Sequence, residues 1–101
     1  MPCFQVTLHG RHFSIPIEGG AIARGFLAFR RVIAPDVVLA KKKAEEVLLR
    51  EEIVRAYIRI TEEKVEDARW FIRAEKVREL TWLGRLFWRM PQGFIFYENE
   101  D

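Results

Sequence analysis

The chain carries one cysteine, Cys3, in 101 residues. No intramolecular disulfide can staple it, and secreted domains of this size usually need such staples, so a cytoplasmic location is expected. Apolar runs are short, none longer than the four residues of 26–29, 37–40 and 94–97, and no Lys or Arg precedes Arg11. Neither a membrane span nor a signal peptide is expected. Glycine and proline number 6 and 4, and neither falls between Pro35 and Gly84; collagen-like and linker-rich organisations are excluded. Histidine is confined to His9 and His12. Gly19-Gly20 is not followed by Lys-Ser/Thr, so no phosphate-binding loop is present.

What is present is half apolar, 13% aromatic and 32% charged, with a net charge of +2. That aromatic load excludes a disordered segment and points to a single globular domain over 1–101. Charge is blocked along the chain. Residues 1–43 hold seven bases and two acids, 44–67 four bases and eight acids, 68–89 six bases and two acids, and the tail from Met90 three acids alone. Opposite blocks can satisfy one another within a fold or across a dimer interface.

Residues near 3–17 and 21–34 are rich in Phe, Val, Ile and Thr and are separated by Gly19-Gly20, the pattern of an antiparallel hairpin. Gly25 permits a bulge or a close backbone approach in the second strand. Pro35 stops the ladder, and Asp36 is a good helix N-cap. A stripe of Val37, Ala40, Ala44, Val47 and Leu48 predicts a helix over 36–50, kinked or ended near 50–52 and extended to 60 by a rotated stripe of Ile53, Ala56, Tyr57 and Ile60. In 68–82 apolar residues recur every three positions, and such a row winds around a helix instead of holding one face. Trp70, Ile72 and Ala74 alternate, and Val77 breaks the phase, which fits one bulged strand or a strand pair. A last strand is expected at 93–97. The fold class is therefore α+β: a small antiparallel sheet with one main helix on one face. An all-α second half is the alternative.

The run Gly-Phe-Leu-Ala-Phe-Arg-Arg-Val-Ile-Ala-Pro-Asp at 25–36 resembles a strand-to-helix pattern of small uncharacterised bacterial α+β proteins. In these a Gly-aromatic strand ends in Val-x-Ala before an Ala-rich helix. Residues 74–82 and 93–97 are similar to later segments of the same proteins. The resemblance implies a fold order and a prokaryotic origin, and no activity.

Catalytic and metal chemistry find little support. His9 and His12, with Cys3 and Glu18, invite a metal site, but a two-residue gap along a strand sends the rings to opposite faces. Ser14 lies between Phe13 and Ile15 in a strand, without a nucleophile elbow. The pairs Glu45-Glu46, Glu51-Glu52 and Glu62-Glu63 read as solvated acidic faces. No enzyme activity, metal or cofactor is expected. Trp82, Arg85, Trp88 and Arg89 form the candidate binding patch: with 82–90 helical, Arg85, Trp88 and Arg89 share a face. Trp beside Arg suits a protein-binding hot spot or stacking on single-stranded bases, and the plainer reading is core tryptophans with arginines at the rim. The leading expectation is a non-enzymatic protein-interaction domain, self-associating as a homodimer and acting as an accessory, inhibitor or immunity-type factor. The alternative is a single-stranded nucleic-acid-binding protein.

Overall fold

The alternation of Phe4, Val6 and Leu8 against Gln5, Thr7 and His9 produces a strand with one apolar and one polar side. In the computed structural model, which describes residues 2–80 and 94–98, this strand, β1, runs Cys3–Pro16. It turns through a short 3-10 segment in which Gly19 and Gly20 hold φ of 82° and 81°, a conformation that favours glycine. The chain returns as β2, Ile22–Ile33, antiparallel to β1 in a register that sets Phe4 against Val32, Val6 against Arg30 and Leu8 against Ala28. The register slips between Arg11 and Ile15, where His12 adopts a left-handed φ of 62°.

Asp36 caps the next element as its side chain accepts the Leu39 N–H at 2.8 Å. Helix α1 spans Val37–Arg50 and buries Ala40, Ala44 and Leu48. The small alanines let it approach the sheet closely. Val37 and Val47 of the expected stripe stay exposed. At Glu51 the backbone turns extended (ψ 134°), and helix α2 then runs Glu52–Lys64, farther than the two turns the sequence suggests. Its fully buried residues are Val54 and Thr61, with Tyr57 and Ile58 packed against the core. Ile53 is instead exposed. The buried face is reset because the break at Glu51 interrupts the helical phase and because the Thr61 hydroxyl accepts the Ser14 N–H at 3.0 Å, fixing that side of α2 to β1.

Strand β3, Phe71–Leu80, pairs antiparallel with β1, and β4, Phe94–Tyr97, pairs antiparallel with β2. The sheet order is β3-β1-β2-β4, with both helices packed against the sheet. Of the row expected over 68–82, Phe71–Leu80 form a single bulged strand, and 81–82 lie outside the described residues. Lys76 pairs with Thr7 and Ala74 with Leu8, so Glu75 is the extra residue, and Val77 returns to the same side as Ala74. One cluster of buried residues joins Phe4, Val6, Leu8 and Phe26 of the hairpin to Ala40, Ala44, Leu48 and Val54 of the helices. No helix is long and apolar enough to cross a membrane among the described residues.

Arg30 stands on the helix-facing side of β2 and meets Glu51 at the helix break with two contacts, Nε to Oε2 and Nη2 to Oε1, both 2.6 Å. Its side chain is 13% exposed. Arg30→Ala would leave the Glu51 carboxylate short of two charge-assisted bonds. The expected loss is about 1.5–3 kcal/mol of unfolding free energy in urea titration. Arg30→Lys would recover only part of it, because an ammonium cannot make the paired contact.

Candidate functional site

The sheet face opposite the helices follows from the same registers, since residues paired across antiparallel strands share a side. Gln5 lies beside Arg31 and Arg78, Thr7 beside Phe29 and Lys76, His9 beside Leu27 and Arg73, and Arg11 beside Gly25 and Phe71. The face therefore carries five bases, Arg11, Arg31, Arg73, Lys76 and Arg78, against one acid, the bulged Glu75, among the described residues. All six are exposed. Phe29, Phe71 and Tyr97 supply half-buried aromatic rings between them, and the Arg73 guanidinium lies 5.2 Å from the centre of the Phe71 ring. A groove of about 430 Å³ runs along Gln5, Thr7, Lys76, Val77 and Arg78.

Three strands are clamped together at the middle of this face. The ring of His9, 12% exposed, places Nδ1 2.9 Å from Glu75 Oε1 on β3 and Nε2 2.6 Å from the Tyr97 hydroxyl on β4. The Tyr97 hydroxyl also lies 3.3 Å from the Gly10 carbonyl. With the imidazole neutral, Nδ1–H donates to the carboxylate and the phenol donates to Nε2. With the imidazole charged, Nε2–H donates to the phenol oxygen, and the phenol O–H turns to donate to the Gly10 carbonyl. The bulge is what brings Glu75 onto this face beside Lys76. Gly25 makes the reach of Tyr97 possible: a Cβ there would overlap the tyrosine ring and the Gly10 carbonyl. The close approach suggested by Gly25 in the sequence is thus made by an aromatic ring.

The two histidines part company. His9 is held in the clamp, while the His12 ring lies 5.6 Å from Phe71. No group of three or more potential metal ligands converges among the described residues. Ser14 is buried with its amide bonded to Thr61. The carboxylate pairs, read from the sequence as solvated faces, each give one member to the fold. Glu45 accepts the Ala74 N–H at 3.4 Å, Glu51 holds Arg30, and Glu62 accepts the Trp70 indole N–H at 3.1 Å. Trp82, Arg85, Trp88 and Arg89 lie outside the described residues.

The basic sheet face was missed as a unit in the sequence because its members come from distant blocks. Its local signals are the polar alternation Gln5, Thr7, His9, Arg11 and the bases Arg73, Lys76 and Arg78, which only the strand register assembles.

Tyr97→Phe removes the hydroxyl from the clamp and is expected to lower stability by about 0.5–1.5 kcal/mol. Gly25→Ala forces the ring away and is expected to cost about 1–3 kcal/mol, both read by urea denaturation. No family model matches the chain, and the comparisons with curated proteins and with solved structures find no match either.

Proposed function

We propose that the protein is a binding module for single-stranded nucleic acid, acting in the cytoplasm without a catalytic step of its own, and that the basic sheet face is its binding surface. The observation that carries this reading is the join of bases and aromatic rings on one side of a four-stranded sheet whose helices pack on the other. Arg11, Arg73 and Lys76, one from β1 and two from β3, are spaced along the strands to meet successive phosphates. Phe71 and Phe29 supply faces on which unpaired bases can stack, and stacking tolerates any base because each has a π-face. A duplex is a poorer fit, since among the described residues this face carries no protruding helix or ribbon to enter a groove.

Three phosphate contacts imply a modest salt dependence, with affinity for a mixed-sequence oligonucleotide falling about 20-fold between about 50 and about 200 mM salt. The triple variant Arg11→Ala, Arg73→Ala, Lys76→Ala should lose most of the binding and flatten the salt dependence in fluorescence anisotropy. Absent or salt-independent binding by the wild type would reject the reading.

A second reading, a self-associating protein-interaction domain, is favoured by a different surface. Ile33 is 50% exposed, and Val37, Val38 and Leu39 follow at 46%, 75% and 44%, a run of apolar residues around the junction of β2 and α1. This run would anchor a partner or a second copy of the chain. Light scattering on purified protein decides it: a dimer that Val38→Asp converts to a monomer supports the interface, and a monomer at high concentration counts against self-association.

A further inference from the structure

Two non-glycine residues hold a positive φ among the described residues, His12 at 62° and Asp67 at 60°, and both line the same cleft. His and Asp adopt this backbone more readily than most residues, and here it occurs at two positions of one cleft. The cleft measures about 470 Å³ and lies where the slipped end of β1 meets the connection from α2 to β3. That volume is within the range of small-molecule pockets. It adjoins the basic sheet face through the contact of His12 with Phe71.

The lining has a definite chemistry. Arg24 and Arg69 offer fork-shaped donors, Asp67 and Glu98 offer carboxylate acceptors, and Phe13 with Val65 forms an apolar wall. Arg69 and Asp67 stand 3.7 Å apart with side chains 84% and 83% exposed, a loose pair in which each group can turn to a ligand. A bare phosphate would meet two carboxylates there, and a simple cation would meet two guanidinium groups. A flat group with an acceptor edge and a donor edge satisfies both halves. Guanine is the base with that pattern: O6 and N7 accept from an arginine fork, and N1–H with the N2 amine donates to a carboxylate. Adenine and cytosine each present one exocyclic amine beside a ring acceptor, which a carboxylate would repel, and uracil has no amine.

We infer that this cleft is a guanine pocket, taking a base splayed out from a strand that lies on the sheet face. The inference rests on the nucleic-acid reading above and adds to it a sequence preference and the residues that impose it. Arg24 and Arg69 read the acceptor edge, and Asp67 and Glu98 read the donor edge.

The test compares an all-uridine oligoribonucleotide with the same strand carrying one guanosine, by fluorescence anisotropy at low salt. The wild type should bind the guanosine strand about ten-fold more tightly, the discrimination expected of one well-made bidentate contact. Arg24→Ala, and Asp67→Asn, chosen because asparagine tolerates the left-handed backbone, should bring the ratio to about one and leave the all-uridine affinity unchanged. Arg24→Lys, which keeps the charge and loses the fork, should also lose the preference, and it replaces Arg24→Ala if that variant fails to fold. Equal wild-type affinity for the two strands overturns the pocket and leaves the strand-binding reading intact. A preference that survives in all three variants overturns it as well. No binding of either strand overturns both.

Discussion

The ion pair between Arg30 and Glu51 sets the layering of the molecule. Arg30 occupies a position on β2 that faces the helices, between the core neighbours Ala28 and Val32, where a lone guanidinium would be strongly destabilising. Glu51 relieves it by being the one residue between α1 and α2 that leaves helical geometry. The break in the helical run and the accommodation of the charge are thus one event. Because the joint is pinned above β2, α1 is held across the sheet and α2 is turned back toward β1. Arg30 also lies 5.4 Å from the centre of the Phe94 ring, so the same side chain helps to seat β4.

The two sides of the sheet use aromatic residues differently. On the helix side Phe13, Tyr57, Phe94 and Phe96 gather around Phe26 at centroid distances of 5.1 to 6.4 Å, and burial pushes the Tyr57 hydroxyl above its ordinary pKa of 10.0. On the side away from the helices the rings are spread among bases, and Tyr97 spends its ring on Gly25 and its hydroxyl on His9. One side therefore supplies cohesion and the other supplies a rigid, positively charged platform. The clamp ties three strands of that platform together at its middle.

Much of the architecture was legible because local signals coincided with the final structure. Gly19-Gly20 needs positive φ and marks the hairpin. Pro35-Asp36 ends one ladder and caps a helix. The phase break at Val77 is the bulge at Glu75. The buried face of α2 was not legible, because the break at Glu51 depends on a base 21 residues away on β2, and the Thr61–Ser14 bond depends on the slipped end of β1. The clamp of His9, Glu75 and Tyr97 was hidden for a related reason. Its members are separated by most of the chain, and no spacing rule links them before the sheet order is known. The sequence drew attention to tryptophan beside arginine, whereas the described surface draws its positive charge from β1, β2 and β3.

The bulge in β3 has a further consequence, for solubility. Among the described residues β3 borders the sheet, and a bordering strand with free amides and carbonyls is a template for edge-to-edge aggregation. The extra residue at Glu75 breaks the regular spacing of those groups, and Arg73, Lys76, Arg78 and Glu79 surround it with charge. An incoming strand would have to match an irregular ladder while burying ionised side chains. The kink that assembles the clamp thereby also guards this border of the sheet against edge-to-edge pairing.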